Sequence, residues 1–360
     1  MGQTYLYRLN PKGSFHFGVQ GLGLEESSEF CPSDTLYSAL LTTALVADRP
    51  FFRPSANASA AQPLEPPYLL SSCLPYVENV LLFPRPLLPL PLPALEPLEQ
   101  QKFQQKLKKV KYVSQTIFEL LLKQDLEGLK AYLPAKGTSK GELYLENSVW
   151  IAHSDDNPNR KVIADTRFWQ IWQNKPFWQK KRMAHSVVDR EQRTNEAYEI
   201  EQVFFAEGCG MAVLCQERLE GAAQEFGELL QELGESGLGG KRSSGLGQFT
   251  VSGPVALTLP EPKNPKRMVL LSRYRPSQDE LAAGVLGAEA RYELVSVGGY
   301  FHSLEPGIID QLRAKVWFLK EGSLLQLPSA GQPIGTICDV RPRTVSHPVW
   351  RYGLSLGVRA

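Results

Sequence analysis

The sequence predicts an α+β fold in two parts, on three observations. Apolar residues mostly alternate along Thr4 to Leu9 and again from Phe249 to Leu259, as strands do. Residues 219–233 instead place Leu219, Ala222, Ala223, Phe226, Leu229, Leu230 and Leu233 on one face of a helix. Between that helix and the strand after it lies a loop with cations and hydroxyls among its glycines, Gly237-Leu238-Gly239-Gly240-Lys241-Arg242-Ser243-Ser244-Gly245-Leu246-Gly247-Gln248-Phe249. At 360 residues the chain is long enough for two cores.

Taken in order, Thr4 to Leu9 form the first strand, and Phe15-His16-Phe17-Gly18 begin a turn-rich connection containing Gly21 and Gly23. Ser33 or Asp34 is placed to cap a helix carrying Leu36, Ala39, Leu40, Thr43 and Ala44 on one side. From Pro50 to Pro97 proline is dense, so Tyr68–Leu74 and Val80–Phe83 read as short strands in an irregular packing surface. Strands follow at Val149–Ala152, Ile200–Phe205 and Met211–Cys215, the last two joined through Glu207-Gly208-Cys209-Gly210 as a hairpin. Strand, helix, hairpin, helix, strand is the ferredoxin-like plan, here over residues 1–260 with large insertions between about 50 and 200. Pro260 to Lys266 read as a linker. Met268–Ser272, Glu293–Val297, Leu312–Leu319 and Gly335–Val340 supply strands for a smaller C-terminal α+β domain over 267–360.

Composition narrows the function classes. With 42% hydrophobic and 10% aromatic residues the chain is globular, and no run approaches the ~18 apolar residues of a membrane span. Met1 to Tyr5 do not resemble a signal peptide, so a cytoplasmic protein with no membrane partner is expected. Cys31, Cys73, Cys209, Cys215 and Cys338 are odd in number and lack a Cys-x-x-Cys pair, which favours buried thiols over disulfides or zinc. Asp155-Asp156 beside Asn157-Pro158-Asn159 reads as a solvated turn, and neither a metal nor a cofactor is expected.

The glycine loop is not a standard nucleotide motif. Gly240-Lys241 is followed by Arg242, and Glu235 stands where a P-loop has its first glycine. Arg242 also occupies the third glycine of a dinucleotide fingerprint, and the helix precedes the loop instead of following it. What remains is a nest of backbone N–H groups with basic side chains, suited to a polyanion. The net charge of only +1 hides local basic runs. Lys102, Lys106, Lys108, Lys109 and Lys111 lie beside an apolar stripe of Phe103, Leu107 and Val110, either as a solvated helix face or as a basic surface. Lys175, Lys180, Lys181, Arg182, Arg190 and Arg193 follow Phe168, Trp169, Trp172, Phe177 and Trp178, an interleaving that favours a nucleic-acid surface over a plain hairpin core.

Several segments resemble one family in order along nearly the whole chain. They include Tyr7-Arg8-Leu9, His16-Phe17-Gly18, Ser33-Asp34-Thr35-Leu36, Leu82-Phe83-Pro84-Arg85-Pro86 and Lys108-Lys109-Val110-Lys111-Tyr112-Val113-Ser114. Val188-Asp189-Arg190, the glycine loop, Glu321-Gly322-Ser323 and His347-Pro348-Val349-Trp350-Arg351-Tyr352-Gly353 complete the set. The sequence is thereby similar to the RAMP-superfamily subunit of type III-A CRISPR-Cas (Csm) effectors called Csm subunit 4. That resemblance implies a non-catalytic subunit in antiviral defence. It would bind the repeat-derived 5′ tag of the crRNA and dock on the large polymerase-like subunit and the backbone RAMP subunit. It further implies that Gly239, Gly240, Lys241, Arg242, Ser243, Ser244 and Gly245 cradle phosphates. His16, Phe17, Gly18, Ser33 and Asp34 would meet tag nucleotides, and the Arg190 hairpin would supply donors to phosphates and 2′-hydroxyls. Asp34 can equally be a helix cap and Phe17 core. An RNA-cleaving alternative would rest on His16 or His185, neither with a sequence-evident partner. Residues 155–180 and 273–290 match no segment of the family.

Overall fold

The computed structural model of the chain describes residues 2–19, 26–49, 66–90, 97–133, 139–155, 172, 175–189, 194–260, 265–301, 311–328 and 333–360. The first strand, β1 (Thr4–Pro11), is followed by helix α1 (Ser33–Val46). Strands β2 (Tyr68–Leu70), β3 (Leu74–Val77) and β4 (Val80–Pro84) precede α2 (Pro97–Lys108). Then come β5 (Tyr112–Ser114), α3 (Gln115–Leu122), α4 (Leu126–Lys130), β6 (Gly141–Tyr144) and β7 (Val149–Ala152). A long ribbon of β8 (Trp178–Asp189) and β9 (Thr194–Phe205) leads to β10 (Cys209–Glu217), α5 (Ala222–Ser236) and β11 (Phe249–Leu257).

Nine strands share one sheet in the order β11-β1-β10-β3-β4-β5-β7-β6, with β2 also on β10. β1 is antiparallel to both β10 and β11, and β10 is antiparallel to β2 and β3. The four-stranded heart of this sheet is therefore the predicted ferredoxin-like unit, and the fold is α+β. α5 forms as its spacing predicts: Ala222, Phe226, Leu229, Leu230 and Leu233 are all fully buried. The Tyr7 hydroxyl on β1 donates to the Ala223 carbonyl at 2.5 Å, tying the helix to the strand it covers. At the outer edge, β11 is mostly exposed, its register on β1 shifts between Leu6 and Arg8, and Pro254 lies in its middle.

The hairpin of the plan differs from expectation. Ile200–Phe205 does not pair with Met211–Cys215; β9 instead runs against β8 from Trp178↔Phe205 to Asp189↔Thr194. The strand in the ferredoxin-like position is β2–β3, so the proline-dense region supplies buried central strands, not an irregular surface. The misreading has a physical cause. Residues 209–215 are buried throughout, and a strand covered on both faces has no alternation to select its neighbour. Trp172, Phe177 and Trp178 are buried and meet one another, Phe30, Tyr112 and Tyr144 through ring contacts, so they are core and not stacking platforms. Phe168, Trp169, Arg190 and Arg193 lie outside the described residues. The lysine run is the solvated side of α2 and the turn after it, with Phe103, Leu107 and Val110 buried beneath.

Residues 267–360 form small sheets. β12 (Arg267–Leu270) is followed by a short helix α6 (Gln278–Ala282), whose capping box of Ser277 and Glu280 accounts for part of the unmatched segment 273–290. Next come β13 (Leu294–Val297), β14 (Tyr300–Phe301), β15 (Gln311–Leu312), β16 (Val316–Leu319) and β17 (Leu324–Gln326). β18 (Cys338–Asp339), β19 (Trp350–Arg351) and β20 (Gly357–Arg359) complete the chain. β12 sits between β17 and β20, and β13 pairs with β16. The main core does not stop at the linker: Val269, Leu271, Leu324, Tyr352, Leu356 and Val358 belong to the same apolar cluster as Tyr7, Leu36 and Phe226. Tyr37 stacks on Tyr352 with centroids 4.9 Å apart, and the Tyr352 hydroxyl accepts the Leu70 N–H at 2.9 Å.

A fully buried carboxylate held by two arginines fixes this junction. Asp34, in the first turn of α1, accepts from Arg273 at Oδ1 (2.8 Å) and from Arg351 at Oδ2 (2.7 Å). Ser33 beside it donates its N–H to Ser72 Oγ at 2.9 Å and accepts the Arg273 N–H at its own Oγ at 3.0 Å. Both side chains have no exposed surface, which corrects their assignment to tag nucleotides. Asp34 is not a helix cap either, since the N-cap residue is Pro32 and no side-chain cap bond forms. Asp34→Asn strands two guanidiniums against a neutral partner, and a loss of about 3–5 kcal/mol in unfolding free energy is expected by urea denaturation. A loss below about 1 kcal/mol contradicts this account.

Candidate nucleic-acid interface

The glycine loop is a pinned platform, not a slack connector. α5 ends where Gly237 turns to φ +89 and donates its N–H to Leu233 O at 2.7 Å. Leu238 and Leu246 are buried on either flank. Leu238 N–H donates to Gly247 O (2.9 Å), Gly247 N–H to Ser14 O (2.9 Å) and Gly240 N–H to His16 O (2.8 Å). Between these anchors Arg242–Ser244 make one 3-10 turn, with Lys241 at φ +58 before it and Gly245 at φ +81 after it.

This arrangement exposes Lys241, Arg242, Ser243, Ser244 and Gly245 and withdraws the rest. Among the described residues the N–H groups of Lys241, Arg242 and Ser243 have no acceptor, and neither cation has an ion-pair partner. Ser236, Lys241, Arg242 and Ser243 line an open cleft of ≈ 730 Å³. The Gly240 N–H, by contrast, is engaged by His16 and cannot hold a phosphate, so Gly240 serves the loop's seating. Gly239, at φ +102, has the same role, because a Cβ there would stand 2.5 Å from the His16 carbonyl oxygen.

The structure brings the His16–Gly18 segment and the loop together. Phe17 is buried and stacks on Phe15 at 5.5 Å, so its ring is core. His16 is nearly buried, and its Nδ1 donates to Glu201 O at 2.8 Å, leaving Nε2 as the unprotonated nitrogen of the neutral ring. The ribbon joins from the other side. Ser14 Oγ donates to Gln202 Oε1 at 2.7 Å, so the Gln202 amide nitrogen donates to His185 Nε2 at 2.8 Å. His185 stacks on Tyr198 at 5.7 Å, and Lys241 Nζ lies 4.9 Å from the Tyr198 ring centroid. A continuous chain of contacts thus couples β1's end, the β8–β9 ribbon and the loop's first cation.

Glu201 fixes the base of the ribbon. Its Oε2 accepts from Lys180 Nζ (2.9 Å) and from Ser27 N–H (2.8 Å). Burial alone raises its pKa, but the bonds from Lys180 and Ser27, with the Lys180 and Arg182 charges, hold the carboxyl below the ordinary 4.5. Sequence reading found Lys180 and Arg182 but missed Ser27, Tyr198, Glu201 and Gln202. Only the ladder that sets Arg182 opposite Glu201 and His185 opposite Tyr198 reveals them, and that register was not readable.

Two predictions follow from this geometry. Gly239→Ala is expected to cost about 3 kcal/mol, since backbone strain adds to the His16 contact, whereas Gly245→Ala, with open space around its Cβ, costs about 1–2 kcal/mol. Denaturant midpoints test the ranking; equal losses contradict it. For Glu201, a folded-state pKa below the unfolded one gives stability present above the ordinary value and lost as pH falls through the folded value. Glu201→Gln is therefore expected to lose less stability than the wild type between about pH 6 and about pH 3, read as the difference in urea midpoints. Parallel curves overturn it.

The relatives can now be set beside this geometry. A family model described as the CRISPR Csm4 C-terminal domain matches residues 263–359. No curated protein matches the sequence. Among solved structures, a chain of the Csm3–Csm4 subcomplex of a type III-A CRISPR-Cas interference complex superposes with a TM-score of 0.61 at 18% identity, covering 98% of both chains. Chains of a Csm1–Csm4 cassette in complex with cA4 and with pppApA each give 0.54, at 15% and 16% identity, covering 98% of this chain and 96% of theirs. A family model of the CRISPR Csm4 C-terminal domain thus matches residues 263–359, and the chain shares its fold with chains of the Csm3–Csm4 subcomplex and of the Csm1–Csm4 cassette.

Proposed function

We propose that this protein is the Csm4 subunit of a type III-A CRISPR-Cas effector, acting without catalysis in the cytoplasm. It grips the repeat-derived 5′ tag of the crRNA and joins the large polymerase-like subunit to the backbone RAMP subunit. The observation that carries the RNA assignment is the pinned loop: among the described residues the exposed cations Lys241 and Arg242 have no acid partners, and the three consecutive N–H groups of Lys241, Arg242 and Ser243 have no acceptors. Charged donors on a rigid turn suit backbone phosphates at little ordering cost. Lys181, exposed on β8, extends the basic face along the ribbon. The assembly assignment is supported by the shared fold, since the matched structures are of Csm4 with Csm3 and with Csm1.

A non-catalytic role fits the histidines. General acid-base cleavage needs a titrating ring beside a 2′-hydroxyl. His16 is nearly buried with Nδ1 held by a carbonyl, and His185 Nε2 is occupied by an amide donor. These partners hold both rings as struts.

Lys241→Ala/Arg242→Ala is expected to weaken binding of a fluorescein-labelled single-stranded repeat RNA at least roughly tenfold. The slope of log K against log salt should fall by about 1.4, at about 0.7 per lost phosphate. Unchanged affinity and slope remove the loop from the RNA path. The same RNA incubated with the wild type in EDTA should stay intact on a gel; a discrete cut abolished by His16→Ala or His185→Ala overturns the non-catalytic reading.

A further inference from the structure

The junction at Asp34 holds one cation more than its acids can pair. Arg273 and Arg351 occupy the two oxygens of Asp34, and Glu321 accepts the Ser72 hydroxyl while facing Arg273. A third guanidinium, Arg313, follows β15 against the same group. Its N–H donates to Gly299 O at 3.0 Å, and its Nη2 lies 3.2 Å from where a Cβ on Gly299 would stand. Arg351 Nη2 donates to the adjoining Gly298 carbonyl, also at 3.0 Å. Two arginines therefore lie against one glycine turn, with no side chain of that turn between them and any ligand.

Arg313 has no partner of its own. Its Nε is buried without an acceptor, and among the described residues its guanidinium makes no hydrogen bond or ion pair. Burial first, and the Arg351 charge second, push its pKa down to about 10, with Asp34 the only opposing charge. The side chain is only half-buried, so its far edge is reachable from solvent. Ala314 N–H donates to Val340 O at 3.1 Å and the Thr344 hydroxyl donates to Gln311, laying residues 311–314 along 340–344. Lys315 and Arg343, both exposed and without acid partners among the described residues, flank that strip, while Asp339 beside it is held by Arg341 at 2.6 Å.

We propose that Arg313, backed by Arg351 and the Gly298–Gly299 turn, is a binding site for a phosphate group. A planar guanidinium with an unused edge matches a phosphate in two parallel hydrogen bonds, and a group of three arginines and two carboxylates is completed by an added anion. The site is separate from the glycine loop and does not rest on the RNA reading of that loop. Its phosphate comes either from an RNA backbone or from a free anion.

Melting of the full chain in potassium phosphate and in potassium chloride at matched ionic strength tests the site. Phosphate should raise the wild-type midpoint by roughly 1–3 °C in a saturable manner, and the rise should persist in Lys241→Ala/Arg242→Ala and vanish in Arg313→Gln. An equal rise in Arg313→Gln, or none in the wild type, overturns the proposal. Should Arg313→Gln fail to fold, the 31P line of inorganic phosphate gives an independent reading on Lys241→Ala/Arg242→Ala, in which the loop cations are absent. Saturable broadening that sulfate reverses supports the site, and an unbroadened line overturns it. Adding a short single-stranded RNA without terminal phosphates separates the sources: reversal of the broadening assigns the site to RNA backbone, and persistence assigns it to a free anion.

Discussion

The junction between the two stretches of the chain is held in place by a carboxylate removed from water. Burying Asp34 without partners would cost several kcal/mol, so the chain adopts the one arrangement in which Arg273 and Arg351, 239 and 317 residues downstream, reach both its oxygens. Apolar contacts around it are interchangeable in kind; this one is not. It selects which end of α1 faces the C-terminal residues and sets Ser33 against Ser72. It thereby brings the 267–360 strands into the same apolar core as β1. The two predicted domains are two stretches of sequence sharing one junction.

From that junction rigidity passes to the loop. α1 packs on α5, which covers β1, β10 and β11, and α5 ends where Gly237 starts the glycine turn. The loop's glycines then do two different jobs. Gly239 and Gly240 allow contact with the His16 carbonyl, while Gly245 lets the exposed 3-10 turn close. Cations presented on such a frame lose little conformational freedom when they meet an anion, which is the advantage of a pinned loop over a slack one.

The sequence disclosed elements that have a period and concealed those that do not. α5, β1 and β11 were legible because their apolar residues repeat at the spacing of the element. The ferredoxin-like second strand was not, because β2 and β3 are buried at every position and flanked by prolines that read as surface. Of the site, Lys241 to Gly245 was legible from composition alone. Asp34 was found but given the wrong work, since helix-start chemistry looks the same whether its partner is a backbone N–H or an arginine hundreds of residues away. Tyr198, Glu201 and Gln202 were invisible because their meaning lies in cross-strand register, which no local pattern records.

The outer strand β11 has a consequence for how this molecule meets its neighbours. An exposed sheet edge is a template on which another chain can lay a strand, hydrogen bond by hydrogen bond. Here the template is defective at its centre: Pro254 offers no N–H, and the shifted register against β1 breaks the ladder at the same point. An incoming strand would find no unbroken run of donors along this edge. Copies of the chain are thus discouraged from pairing through this edge, and a partner that meets it must be held by side chains and surface shape.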